Sequence, residues 1–303
     1  MRVVIREIPE DVAEYTAQYI KTRINTFKPT AERPFVIGLP TGSTPIPIYA
    51  KLVEYYKTGQ LSFKHVISFN MDEYVNLPAN SPFSYHTFMH EHLFKHIDID
   101  PANINILNGE AHDLTQECNN FENKIKNVGG IELFLAGLGH DGHIAFNEPG
   151  SSLSSRSRVK TLTYDTIQKN AQHFGDNIES VPRMALTVGI ATILDAREVI
   201  CVVTGAVKSG PELLSTVTAS LTWYSTWLSV SLMTLSASSG TESVVSPLWL
   251  VSITGATSWV VGTVSSAKTW VEVANALATK SADKENIPIK TFFVFITFSP
   301  KFL

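Results

Sequence analysis

Short β-branched or aromatic runs recur along the chain: VVI at 3–5, PFVIGL at 34–39, HVISF at 65–69, IELFLAGLG at 131–139 and REVICVV at 197–203. Most are separated by segments with a helical period. Val12, Tyr15, Tyr19, Ile20, Ile24 and Phe27 fall on one face behind an acidic start, and Ile48, Leu52, Val53 and Tyr56 form a second such face. Apolar runs alternating with amphipathic helices predict parallel strands joined by crossover helices. In a doubly wound sheet of this kind ligands bind beyond the carboxyl ends of the strands. Polar residues directly after each run therefore carry functional weight. They are TGSTP at 41–45, NMDEY at 70–74, HDGHIAFNEP at 140–149 and GAVK at 205–208.

The pattern breaks near residue 209. From there to residue 303 there is no arginine and no histidine, all five tryptophans occur, and Glu242 is the only charged residue between Leu213 and Ala267. Segment 213–241 is nearly half Ser and Thr, and residues 217–232 approach a period of two, which predicts strand over helix. The uncharged stretches are long enough to span a bilayer, but their hydroxyl content, Pro247 and several glycines argue against a membrane segment.

Charge and cysteine content narrow the partners. A formal net charge of −4, with no dense Lys/Arg run in the first two hundred residues, leaves no electrostatic footprint for nucleic acid. Cys118 and Cys201 are the only cysteines and form no CxxC pattern, so neither a disulfide framework nor a cysteine-rich zinc site is expected. The N-terminal apolar run is too short for a signal peptide. A cytoplasmic protein with a small-molecule partner is the expectation.

Four groups of residues are candidates for chemistry. The TGSTP turn, between a strand and a helix, offers backbone N–H groups and a positive helix end to a phosphate; an ordinary turn with a threonine N-cap and Pro45 in the first helical turn is the alternative. Asp72, just behind a buried run, fits a carboxylate whose proton affinity is raised by desolvation so that it acts as a base, or else a helix-capping or turn aspartate. Asp141, His143 and Glu148 share one loop, where an acid can orient an imidazole to shuttle a proton near neutral pH. Lys208, after the last clear strand, is placed to reach a ligand anion. The histidines at 86, 90, 92 and 96 do not make a metal site by spacing: Phe94 stands where HExxH needs its second histidine, and the two i,i+4 pairs lie on different helical faces.

PFVIGLPTGSTP, SFKHVISFNMDEY, GHDGHIAFNEPGSSLSSRSRVKT and VPRMALTVGIATILDAREV together resemble the glucosamine-6-phosphate deaminases over about residues 1–208. The related 6-phosphogluconolactonases share a strand followed by DGH, but FNEP fits the deaminase branch better. The resemblance implies hydrolytic conversion of glucosamine 6-phosphate and water to fructose 6-phosphate and ammonia, with no metal and no organic cofactor. It implies that Asp72 moves the proton between C2 and C1, and that His143, oriented by Asp141 and Glu148, assists opening of the pyranose ring. The substrate-binding candidates are Thr41, Gly42, Ser43, Thr44, Gly137 and Lys208. Ser151, Ser152, Arg158 and Lys160 match part of the site that binds an allosteric activator, N-acetylglucosamine 6-phosphate, in some members of the family.

Three departures accompany the resemblance. Gln172 stands where the family has a phosphate-binding lid arginine, with His173 beside it; Thr254 stands where a closing tyrosine is expected in the activator site; and the family's C-terminal elements have no match after Lys208. The expectation is a Rossmann-like, doubly wound, mostly parallel α/β sheet flanked by helices. Residues 1–208 are expected to form a sugar-phosphate isomerase/deaminase domain. Residues 209–303 are expected to be a poorly ordered, Ser/Thr-rich tail that resembles a translated frameshift or retained intron. A homo-oligomer, hexameric as is common in the family, is expected if the tail permits it. The competing reading is a relative that binds sugar phosphate or a family partner without turnover.

Overall fold

The apolar runs form the core strands, and the helical faces cover them. The structure, a computed structural model, describes Val4, Arg6, 8–139 and 142–204. The first expected strand, at 3–5, lies outside the described residues except for Val4, and so do the strand reading at 217–232 and the whole expected tail. Glu10–Leu138 and His143–Val202 belong to one compact unit.

Helix α1 (Pro9–Phe27) opens with Glu10 and Asp11 in its first turn and buries Val12, Ala13, Thr16, Ala17, Ile20 and Ile24. That spacing is one helical face. Lys28 then takes a positive φ of 54° and the following residue is Pro29, so the helix stops there. Strand β1 (Phe35–Leu39) is buried along its whole length, as a strand covered on both faces must be. Helix α2 (Ile46–Lys57) follows, then β2 (Val66–Asn70), β3 (Asp72–Tyr74), α3 (Tyr85–His92), β4 (Ile104–Asn105), α4 (Leu114–Asn127) and β5 (Leu133–Gly137). Next come β6 (Arg158–Thr161), α5 (Tyr164–Asn170), β7 (Met184–Thr187), α6 (Ile190–Leu194) and β8 (Val199–Val202).

Among the described residues five strands form a sheet in the order β4-β2-β1-β5-β8, each paired parallel to its neighbours. Chain order runs outward from β1 to β2 and β4 on one side, then returns to β5 and β8 on the other. The reversal lies between β1 and β5, where Gly38 faces Phe134 so closely that a Cβ on Gly38 would come within 2.5 Å of the ring. Flanking helices complete the Rossmann-like arrangement. In α4, for example, Cys118, Phe121 and Ile125 face the core, and Phe121 packs edge-on against Phe69 of β2 at 5.4 Å. Burial of one such aromatic contributes roughly 1.5–3 kcal/mol.

A second sheet, β3-β7-β6, is antiparallel. Its strands are three or four residues long, too short to show a period in the sequence. It covers a smaller core that includes Tyr74, Phe146, Leu162, Ile167, Phe174 and Ala185. Asp72 is therefore the first residue of a buried strand, rather than a turn or capping aspartate.

Candidate active site

The crevice of a doubly wound sheet lies where the strand order reverses, and here that places it at the ends of β1 and β5. The turn after β1 carries Thr41, Gly42, Ser43 and Thr44, with Ser43 exposed and the other three half-buried. Gly42 has φ +102°, which a side chain would strain, while no described atom lies within 4 Å of where its Cβ would stand. The N-cap position of α2 is Pro45, with no side-chain cap bond, so the alternative of a threonine N-cap with Pro45 inside the first turn does not form. Tyr49, on the next turn of α2 and fully buried, donates its hydroxyl to the Pro40 carbonyl at 2.5 Å and fixes the turn from below. Gly137 ends β5, paired with Val202 of β8, and a side chain there would meet no described atom within 4 Å.

Asp72 reaches the same edge through β2. Met71 N–H and the Asn70 amide both donate to Leu39 O, at 3.2 and 3.3 Å, so the residues before Asp72 are tied to the last residue of β1. Asp72 is 6% exposed, and its buried Oδ1 has no hydrogen-bond partner among the described residues. Burial pushes its carboxyl up to about 8, with the neighbouring Glu73 charge a second cause. The same carboxylate helps burial raise the Tyr49 phenol, which couples Asp72 electrostatically to the side chain holding the Thr41–Thr44 turn. A desolvated carboxyl with an unpartnered oxygen in a crevice has the character of a proton carrier.

The loop that carries His143 and Glu148 is fastened to β7. Ile144 and Asn147 exchange backbone hydrogen bonds at 3.3 and 3.0 Å around Ala145, whose φ is +52°. Phe146 N–H donates to Thr187 Oγ1 at 3.1 Å, and the Asn147 amide donates to Val188 O at 2.8 Å. Thr187 is the register partner of Asp72 on one side and of Arg158 on the other. Arg158 in turn donates to Asn147 Oδ1 at 2.7 Å. One residue thus joins Asp72, the His143–Glu148 loop and β6. His143 is half-buried beside this tight turn, and Glu148 Oε1 accepts from Thr166 at 3.0 Å and Thr163 at 3.4 Å, at the start of α5.

The remaining candidates divide. Asp141 and Lys208 lie outside the described residues. Arg158 and Lys160 stand two residues apart on β6, hence on one face, both half-buried. Ser151 N–H donates to Glu148 O at 3.0 Å, and Ser152 and Ser154 share a hydroxyl contact at 2.9 Å. Gln172 and His173 are exposed in a tight turn at Ala171–Phe174, their side chains 3.4 Å apart. Among the described residues no group of three or more His, Cys, Asp or Glu is placed to hold a metal ion, and no helix is long and apolar enough to cross a membrane.

Sequence reasoning missed Tyr49, Glu73 and Thr187. Glu73 carried a signal, since two consecutive carboxylates behind a buried run demand donors for at least one of them. Tyr49 and Thr187 carried none, because their importance depends on which strand ends become neighbours.

Comparison with known proteins bears on the same segment. The family model for glucosamine-6-phosphate isomerases/6-phosphogluconolactonase matches residues 7–217. Glucosamine-6-phosphate deaminase 2 of Homo sapiens is 59% identical over 209 residues, covering 69% of this chain and 76% of that protein. The Aedes aegypti glucosamine-6-phosphate deaminase is 57% identical over 209 residues, 69% of this chain and 75% of its own length. Among solved structures, a monomeric glucosamine-6-phosphate deaminase superposes with a TM-score of 0.63 at 38% identity, over 66% of this chain and 81% of that one. The 6-phosphogluconolactonase of Trypanosoma brucei shares the fold, with a TM-score of 0.55 at 21% identity over 68% of this chain and 83% of its own. The chain belongs to the glucosamine-6-phosphate isomerase/6-phosphogluconolactonase family.

Proposed function

We propose that the chain is an enzyme that converts glucosamine 6-phosphate and water to fructose 6-phosphate and ammonia. The observation that carries this reading is the buried Asp72 carboxyl with its unpartnered Oδ1, tied through Leu39 to the hydroxyl-rich turn at the sheet reversal. The turn residues Thr41–Thr44 and the start of α2 take the phosphate, which suits a helix N-terminus and its backbone donors. Gly137 leaves room for the sugar, and Lys208 adds the cationic contact that the family resemblance assigns to it.

The chemistry needs proton transfers at separate atoms of one sugar. His143, steadied by Asp141 and Glu148, moves the proton of the C1 hydroxyl to the ring oxygen, so that the C1–O5 bond breaks and the aldehyde forms. Asp72 takes the proton from C2 and returns it to C1 while the substrate's C2 ammonium gives one proton to O1, so that C1 becomes a CH2OH carbon and an iminium stands at C2. Water adds to C2, the carbinolamine collapses to the ketone, and ammonia leaves. A carboxyl whose proton affinity lies near the working pH can both accept and return the proton.

The competing reading, a relative that binds without turnover, is not favoured at 57–59% identity to named deaminases. The decisive measurement is release of ammonia and fructose 6-phosphate from glucosamine 6-phosphate by the purified full chain, with Asp72→Asn as control. Folded wild-type protein that releases neither product would overturn the assignment. The same reading takes residues 1–208 as the catalytic domain and 209–303 as a tail. It places a homo-oligomer in the cytoplasm, to be checked by sedimentation velocity and cell fractionation. It also treats Ser151, Ser152, Arg158 and Lys160 as an activator site that lacks its closing tyrosine.

A further inference from the structure

The turn between His143 and Glu148 holds a backbone that its sequence does not favour. Ala145 has φ +52°, a left-handed conformation that a Cβ opposes and that glycine would adopt readily. Ile144 and Asn147 close the turn through their backbones, and a side chain then reinforces it. Asn147 is 2% exposed. Its amide nitrogen donates to Ile144 O at 2.9 Å and to Val188 O at 2.8 Å, while its Oδ1 accepts from Arg158 at 2.7 Å. Both donors and the acceptor atom of this buried amide are engaged. The contact with Val188 reaches further. Val188 N–H donates to Met71 O at 2.8 Å, and Met71 N–H donates to Leu39 O at 3.2 Å. Peptide by peptide, the Asn147 side chain is joined to the residue before Asp72 and to the end of β1, from which the Thr41–Thr44 turn departs.

We propose that Asn147 is a positioning residue for turnover: its side chain, held in orientation by Arg158, sets where His143 and Glu148 stand relative to Asp72. This rests on the reading of Asp72 and His143 as the proton carriers. A left-handed alanine persists only where its surroundings over-determine it. Thr187 holds the turn at Phe146 N–H, and Asn147 holds its exit, directly before Glu148. No other side chain of similar size supplies the same three contacts: aspartate has the shape but lacks the donors, and glutamine carries the amide one methylene too far. Arg158 then has a task in turnover with no activator bound, because its guanidinium occupies the acceptor that fixes which way the amide faces.

The test separates position from stability in the full-length protein. Asn147→Ala is expected to lower kcat by roughly tenfold to a hundredfold and to leave KM within about twofold, since the Thr41–Thr44 turn still holds the substrate. Arg158→Met should lower kcat in the same direction without added activator, and Arg158→Lys should retain more of it. The double variant Asn147→Ala/Arg158→Met should turn over within about twofold of Asn147→Ala, because both changes break one contact. Adding Ala145→Gly to Asn147→Ala relieves the left-handed backbone and should raise the melting temperature while kcat stays low. A merely structural role predicts that kcat recovers together with stability, and that result overturns the proposal, as does a folded Asn147→Ala protein with wild-type kcat. If Asn147→Ala does not fold, Arg158→Met decides: a lowered kcat at constant KM supports the proposal and an unaltered kcat overturns it. If wild-type protein releases no ammonia, the assigned reaction is what fails, and amide hydrogen exchange reads the contact itself. Exchange at Ile144, Phe146 and Asn147 should then quicken at least roughly tenfold in Arg158→Met with the β1 amides unchanged, whereas unchanged exchange at all of them overturns the proposal.

Discussion

Replacing Asp72 by Asn should make the protein more stable in alkaline solution than the wild type, by an amount that grows with pH. In the folded chain the Asp72 carboxyl is held at about 8 against an ordinary value of 3.8. Below 3.8 the group is protonated in both folded and unfolded chains and has no effect. Between the two values the folded chain retains a proton that the unfolded chain has released, so stability falls as pH rises, and above about 8 the loss is complete. At 1.36 kcal/mol per pH unit, the interval corresponds to a ceiling of about 5–6 kcal/mol, comparable with the whole stability of many domains. Asn cannot ionise and escapes this loss. Its amide leaves a buried polar group short of partners, at about 1–3 kcal/mol, but that penalty does not depend on pH. The diagnostic quantity is therefore the slope of the difference. Urea unfolding of both full-length proteins from about pH 4 to about pH 9 should show the mutant's advantage climbing through this window and levelling off. Parallel stability curves would show that Asp72 is not desolvated as described, and would remove the physical basis for treating it as a proton carrier. The stability forgone at Asp72 is then a direct measure of what a buried base demands of the fold.

Other perturbations probe separate parts of the argument. Gln172→Arg should lower KM for glucosamine 6-phosphate by roughly tenfold, since an arginine–phosphate contact is worth about 1.5–3 kcal/mol; an unchanged KM in steady-state assays would mean that residue 172 does not meet the phosphate. Thr187→Val keeps the shape but removes the acceptor of Phe146 N–H, so the melting curve should show a loss of about 1–3 kcal/mol, and kcat should fall by roughly tenfold to a hundredfold as the His143–Glu148 loop shifts. An unaltered kcat in a folded Thr187→Val protein would free that loop from β7. Phe121→Ala, which empties the space against Phe69, should destabilise the domain by about 3–5 kcal/mol in denaturant unfolding, whereas a smaller effect would indicate that α4 collapses onto the sheet.

Much of the central sheet was legible because its strands are buried on both faces and read as continuous apolar runs. Phe35–Leu39, Val66–Asn70, Leu133–Gly137 and Val199–Val202 all lie inside or at the edge of the runs picked out by pattern alone. The polar residues behind those runs pointed to the strand ends, and the observed order puts the Thr41–Thr44 turn at the reversal. The antiparallel sheet was not legible. Strands of three or four residues, such as Asp72–Tyr74 and Arg158–Thr161, leave too few alternations to outweigh a turn. That gap had a consequence for the site, because it left Asp72 open to a capping role and hid Thr187 altogether. The alternative reading of the turn before α2, a threonine N-cap, fails for a local reason: Pro45 has φ −78° and takes the cap position itself. Charge alone did not foretell the anchoring of Glu73, whose carboxylate accepts from the Tyr85 and His86 N–H groups where α3 meets β3.

The antiparallel seam at Met184–Thr187 has a consequence for how the molecule tolerates change. Because side chains alternate along a strand, gaining or losing a single residue in this stretch would turn Leu186 to the place of Thr187 and rotate the hydroxyl out of reach of Phe146. The neighbouring β3 and β6 would be dislocated together, since both take their alignment from this one strand. Length variation should therefore be absorbed in the stretches on either side of the seam, while the four residues themselves admit substitution but no insertion or deletion.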